Sequence, residues 1–235
     1  MLLTLKSVLR GRNWSDWVGF VFFIGFAGFL MIRAPRLSLL LLPSIIHEVL
    51  TSISFLMRSA PRARLTAPAP RSAAYAGTFI IPVFMLIVTG YAPQWLKPSP
   101  WSPLLSIGLL LWLLGTPLVL LGIWRLRRSF SIEPQARQLV TTGPYALARH
   151  PIYTGYLLQY LGILLAHLTA VFAAVLVIWL VLAVIRIGYE EAVLTATFPE
   201  YATYKRTVGM LGPTLKIESL FTADRRVAKK SAGGH

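Results

Sequence analysis

TAVFAAVLVIWLVLAVIRIGY, residues Thr169–Tyr189, is an apolar run that carries a single charge, Arg186. A helix needs roughly 20 predominantly apolar residues to cross the hydrocarbon core of a bilayer, and this stretch supplies them. Five similar runs precede it. They are Trp17–Ile32, Leu37–Met57, Ser72–Ala92, Ser102–Trp124 and Ile152–Ala166, the last separated from Thr169 by a short turn near His167. Backbone polar groups cannot be left unpaired in lipid, so such runs are expected to be helices. The alternation of a membrane β-barrel is absent. The fold class expected is therefore all-α, a polytopic transmembrane helical bundle. The fifth run is short and either spans only part of the membrane or tilts less than its neighbours, which sets the count at five to six spans. Pro82, Pro103 and Pro117 lie inside or at the start of runs and predict kinks or helix starts.

Composition agrees with this reading. Of 235 residues, 56% are hydrophobic and only 13% charged, about half the charged share of a soluble domain; the mean hydropathy is +0.66. The net charge of +15 would point to nucleic acid in a soluble protein. Here the charges lie between the apolar runs, where membrane proteins hold Lys and Arg in cytoplasmic loops, so no nucleic-acid partner is expected. The basic loops suit anionic lipid headgroups instead. The absence of cysteine excludes disulfides, thiolate metal sites and Cys nucleophiles. No metal-ligand spacing and no phosphate loop appears. Met1–Asp16 is basic and amphipathic, and the run after it has no clear small-residue cleavage site, so it reads as a retained first span.

The charges also orient the chain. With six spans, Met1–Asp16, Arg58–Arg71, Arg125–Arg149 and the C-terminal tail fall on one side and hold nineteen Lys and Arg, against Arg33, Arg36 and Lys97 on the other. Both termini are expected to be cytoplasmic. Arg58–Arg71, RSAPRARLTAPAPR, reads as an exposed loop of polyproline II character. Arg125–Arg149 contains Phe130, Leu139, Tyr145 and Leu147, which predicts a loop folded back on the protein. The chain divides into N-terminal helices (1–124), a core holding the last two membrane helices (125–215) and a flexible tail (216–235). Trp95 and Trp101 read as belt residues anchoring helix ends.

The densest concentration of chemical groups is LVTTGPYALARHPIYTGY, Leu139–Tyr156. Gly143-Pro144 and His150-Pro151 mark turns, and Pro151 suits the first residue of a helix. A helix start there offers backbone N–H groups to an anion, with Arg149 and His150 beside it, an arrangement that suits a carboxylate. A second cluster, Arg186 with Glu190 and Glu191, ends the sixth run. Ionisable residues at membrane depth are costly and face the bundle interior. Arg186 and Glu190 are four apart, so they share a helix face and can pair, while Glu191 points elsewhere. Phe198, Glu200, Tyr201, Tyr204, Lys205 and Arg206 follow on an amphipathic segment. His47-Glu48, within the second run, admits three readings: a proton relay, a bond to a neighbouring helix, or a contact to a substrate headgroup.

GPYALARHPIYTGYLL (143–158), then Glu190-Glu191, then FPEYATYKRTVGMLGP (198–213), resembles the isoprenylcysteine carboxyl methyltransferase family, whose relatives include the phospholipid N-methyltransferases. Its members typically read GPY, then RHPxYxG, then a pair of acids, then an EYxxYxxxV segment. The resemblance covers about Phe130 to Pro213 and departs from the family at Pro199, where Gly is common. It implies a cytoplasmic pocket for S-adenosylmethionine, built from the C-terminal third, and a tunnel to it from the bilayer. By the same resemblance Gly143, Pro144, Tyr145, Arg149, His150, Pro151, Tyr153, Gly155, Glu190, Tyr201 and Tyr204 bind the cofactor, and Arg186, Glu190 and Glu191 are catalytic. The expected partner is a membrane lipid or lipid-linked acceptor, carboxylate or amine. A carboxylate needs only an Arg to orient it, whereas an amine must lose a proton, which Glu190 or Glu191 can accept. Two other readings stand beside this one. A membrane reductase of the steroid-reductase type uses NADPH and shares a similar motif, with Asn and Glu where Ile152 and Tyr156 stand here. The other is a non-catalytic scaffold or transporter, motivated by His47-Glu48.

Overall fold

The computed structural model describes residues 14–33, 38–65, 67–91 and 104–213. In chain order they form α1 (Trp14–Arg33), α2 (Ser38–Met57), β1 (Ala63–Arg64), α3 (Pro68–Tyr91), α4 (Leu105–Leu126), β2 (Gln135–Ala136), a 3-10 turn (Gly143–Ala146), α5 (Pro151–His167), α6 (Ala170–Thr197) and α7 (Tyr201–Thr207). The described part of each of the six apolar runs is thus helical. Among the described residues, three helices are long and apolar enough to cross a membrane: Pro68–Ile87, Leu105–Leu126 and Ala170–Thr197. The apolar stretches of the other three, Trp17–Ile32, Leu42–Met57 and Pro151–Ala166, are shorter. Pro103, Trp95, Trp101, Arg36, Lys97, residues 1–13 and the tail 214–235 lie outside the described residues, as do the side chains of Arg33 and His167.

Two boundaries differ from expectation for physical reasons. The Arg58–Arg71 stretch is not a free polyproline loop. Ala63 and Arg64 pair antiparallel with Ala136 and Gln135, the Arg62 and Leu65 N–H groups donate to the carbonyls of Ala136 and Pro134, and α3 already begins at Pro68. Proline is tolerated in a first helical turn because its missing N–H has no partner there anyway. At the other end, α6 continues through the acidic pair to Thr197, since no Gly or Pro interrupts it after Gly188 until Pro199. Charge alone does not end a helix that is already propagating.

The helices pack in pairs, α4 along α5, α1 along α2 and α3 along α6. Gly108, Gly115 and Gly122 recur at heptad spacing on α4 and meet Gly162, Gly155 and Ile152 of α5, so closely that a Cβ at Gly115 would run into the Gly155 carbonyl. Membrane helices associate through such small residues because lipid supplies no hydrophobic drive between them. Phe23, Phe55, Val119, Ile123 and Phe130 form one buried cluster, and Ile81, Leu176, Trp179 and Ala183 another. Leu110, Leu113, Leu114 and Leu121 of α4 and Val177, Ile178, Val181 and Val184 of α6 face outward, the inverse of a soluble helix and the arrangement lipid favours.

Candidate active site

α5 starts at Pro151 and antiparallel α6 ends at Thr197, so the first turn of one lies beside the last turns of the other. This places His150 next to both acids: its Nε2 is 3.2 Å from Glu191 Oε1 and its Nδ1 is 3.8 Å from Glu190 Oε2. The two carboxylates then diverge, as consecutive helical residues must.

Glu191 is buried in a knot of cations. Its Oε1 accepts from Arg149 Nε at 2.8 Å, and its Oε2 lies 2.7 Å from Lys205 Nζ. Arg149 Nη1 also donates to the carbonyls of Lys205 and Val208, at 3.0 Å and 2.5 Å. The backbone N–H groups of Arg149 and His150 donate to Gly209 and Met210, and Thr154 Oγ1 donates to the Leu211 carbonyl. Residues 205–211 therefore strap the start of α5 to the end of α6. The Arg149 guanidinium and the N–H groups of Arg149 and His150 thus bond within the protein itself.

Glu190 turns the other way. Its Oε1 accepts from Tyr153 Oη and from Arg186 Nε, both at 2.9 Å. Arg186 is held further by Nη1 to Thr78 Oγ1 at 2.6 Å and Nη2 to the Ser131 carbonyl at 3.1 Å, and it stacks 5.6 Å from the Tyr153 ring centre. These groups form one end of a cavity of about 920 Å³, its mouth included, where Tyr145, His150, Tyr153, Arg186 and Glu190 line the wall. Tyr160, Trp179 and Pro82 line it as well. Trp179 precedes Arg186 by two helical turns, so the cavity reaches roughly 10 Å along the apolar helices.

The remaining expected site residues shape the frame. Gly143 adopts a positive φ of 67° against the Arg125 side chain, and Pro144 is buried in the same turn. Gly155 abuts α4. Tyr201, 1% exposed, is packed with Ala136, Val193 and Phe198. Tyr204 Oη donates to the Tyr145 carbonyl at 2.5 Å. Burial pushes the Tyr204 phenol up to about 12 although Arg149 pulls it down, and burial raises Tyr145 and Tyr201 further. All three therefore keep their protons near neutral pH and act as neutral groups. Among the described residues no group of three or more His, Cys, Asp or Glu is placed to hold a metal ion.

The family model described as phospholipid methyltransferase matches residues 104–201, which run from the residue before α4 to the first residue of α7 and include every cavity residue named above except Thr78 and Pro82. Residues 104–201 thus resemble the phospholipid methyltransferase family. Curated relatives extend the likeness. The cobalt-zinc-cadmium resistance protein CzcN of Cupriavidus metallidurans is 38% identical over 144 residues, 60% of this chain and 61% of that protein. The nickel-cobalt-cadmium resistance protein NccN of Alcaligenes xylosoxydans xylosoxydans is 31% identical over 139 residues, 57% of this chain and 61% of that protein. The chain thus spans about three-fifths of the length of these relatives. No solved structure matches it.

The matched segment does not build the site alone. Thr78, which fixes Arg186, comes from α3, and Lys205 and the carbonyls at 208–211 lie beyond the match. His47 and Glu48 of α2 also line the cavity, and His47 Nε2 is 2.7 Å from Tyr156 Oη of the family segment. Thr78 and Ser131 carry no sequence pattern that would mark them. Lys205 stood in the closing segment, but only its position over Glu191 gives it a function.

Proposed function

We propose that this chain is an integral membrane methyltransferase that uses S-adenosylmethionine and acts on a lipid or lipid-linked acceptor. The observation that carries the proposal is Glu190. It stands with His150, Tyr153 and Arg186 at one end of a cavity that runs on between apolar helices, within a phospholipid methyltransferase segment. The residues fit the donor. A carboxylate beside tyrosine rings suits hydroxyl groups and a cationic sulfonium. Bound there, S-adenosylmethionine supplies a methyl group on a sulfonium sulfur, open to displacement in line with that sulfur.

The chain's own groups position, and one moves a proton. Glu190 is the candidate acceptor for the proton an amine must lose. Arg186, bonded through all three nitrogens, holds Glu190 in place. Glu191 keeps His150 and the 205–211 strap in register. The aromatic and aliphatic wall excludes water and admits an acyl or prenyl chain from the side. In this reading all six long helices are membrane-embedded, the termini and the strap lie on the cytoplasmic face, and the donor enters there.

The test is incubation of purified protein in lipid vesicles with methyl-labelled S-adenosylmethionine. The expected outcome is saturable donor binding and label in the lipid extract. Absence of both donor binding and transfer to any lipid overturns the proposal.

A further inference from the structure

Two polar atoms on the α2 wall of the cavity, Glu48 Oε2 and Thr51 Oγ1, are buried without a hydrogen-bond partner among the described residues. Their residues are 5% and 1% exposed, and both line the cavity. They are three residues apart and so share one helix face. An orphaned buried carboxylate oxygen is among the costliest groups a protein can retain, and the cost is higher still at membrane depth. The rest of the residue is well supported. Glu48 Oε1 lies 3.1 Å from His47 Nδ1, and His47 Nε2 lies 2.7 Å from Tyr156 Oη. If the tyrosine hydroxyl donates to Nε2, Nδ1 carries the proton and donates to Glu48, so one carboxylate oxygen is held and the other is left over.

We infer that Glu48 and Thr51 form a recognition subsite for the cationic ammonium group of the acceptor. An ammonium brings several N–H donors and a positive charge, and the two orphans are acceptors at the same wall. Tyr156, Tyr160 and Trp179 line the same cavity, with Tyr156 stacked on Tyr160 and Tyr160 edge-on to Trp179. Aromatic surface beside a carboxylate is the environment that ammonium groups prefer. A carboxylate acceptor finds no counterpart, because the cavity's arginine, Arg186, already neutralises Glu190. The subsite lies on α2, before the matched segment 104–201, so selectivity for the acceptor resides in the N-terminal half. This inference rests on the methyltransferase reading only for the word acceptor; the subsite itself is a statement about binding a cation.

The experiment measures equilibrium binding of two probes of equal tail length, dodecylamine and dodecanoate, to the full chain in neutral maltoside micelles. Wild type is expected to bind the amine at least roughly tenfold more tightly, and Glu48→Gln to lose that preference, since removing one partner of a buried charge pair mainly weakens retention. Glu200→Gln removes an exposed acid outside the cavity and serves as the control that keeps wild-type binding. Ethanolamine, the same charge without a tail, separates the sources. Binding far weaker than dodecylamine marks a lipid-borne cation, and equal binding marks a free amine; the Glu48 dependence is expected in either case. Equal binding of amine and carboxylate to wild type, a measurement that needs no variant, overturns the inference. So does an unchanged preference in a monodisperse Glu48→Gln protein. S-adenosylmethionine binding is followed in parallel: if it is absent while the amine preference persists, the methyltransferase reading fails and the cation subsite stands.

Discussion

Adjacent glutamates in one helix do different work here, and single substitutions separate them. Glu190 faces the cavity and Glu191 faces the cationic knot. Glu190→Gln keeps the size and one acceptor oxygen but removes the base and the charge. Transfer to an amine acceptor is expected to fall by roughly 100-fold, the lower end of what a general base contributes, with a lower melting temperature as well because buried Arg186 loses its counter-charge; initial rates with labelled donor on the folded variant decide it, and an unimpaired rate removes Glu190 from the chemistry. Glu191→Ala leaves Arg149 and His150 buried without their shared acceptor, while Lys205, half exposed, returns to water. Orphaning a buried charge in this way costs about 3 kcal/mol, so a drop in melting temperature is expected along with lost activity. Sequence spacing alone pairs Arg186 with Glu190 and sends Glu191 elsewhere, because both follow from helical periodicity. It could not show that Arg149 is committed to Glu191 and to two carbonyls of the strap, since backbone carbonyls have no residue identity to read.

Between elements, the α4–α5 contact depends on what is missing from its side chains. Gly155 belongs to the same motif as His150 and Tyr153, yet its neighbours are the Gly115 carbonyl and Val119 rather than the cavity. Gly155→Val would force the helices apart and shift the start of α5, on which His150 depends. Overpacking of this kind costs about 1–3 kcal/mol. Gly25→Ala on α1, where nothing lies within 4 Å of an added Cβ, is expected to be neutral or slightly stabilising through helix propensity. Thermal unfolding of the two variants checks the contrast, and equal destabilisation would mean that the glycine seam is not what joins α4 to α5. The helices themselves were legible because apolar length is a local property of the chain. Their ends were less so: the ribbon of Ala63–Arg64 with Gln135–Ala136 forms between segments far apart in sequence, and two-residue strands leave no periodicity to detect. The bond from His47 to Tyr156, 109 residues apart, was hidden for the same reason, although His47-Glu48 had already stood out as ionisable residues in an apolar run.

At the scale of the molecule, the proposed mechanism requires the site and the two ends of its supporting helices to face one side of the membrane. α5 and α6 are joined through Leu168 and Thr169, with Leu168 in the left-handed region at φ 48°, so the pair turns back sharply and its connection lies at the end opposite His150 and Glu190. The Arg58–Arg71 stretch is tied to the 125–149 stretch by the ribbon and by Arg71 Nε on Glu133 Oε1 at 3.1 Å, which places these basic segments together at the site's end, as a positive-inside arrangement demands. The chain has no cysteine, so single introduced thiols report position without background. Thr203→Cys, in exposed α7, and Ala67→Cys, exposed just before α3, are expected to react with a membrane-impermeant maleimide only from the cytoplasmic face, and Leu168→Cys only from the other. Labelling of Leu168→Cys and Thr203→Cys from the same face would mean that α5 and α6 do not traverse the bilayer. The cavity would then lie along the membrane surface instead of opening into its interior, and a lipid acceptor would have to leave the bilayer to reach Glu190.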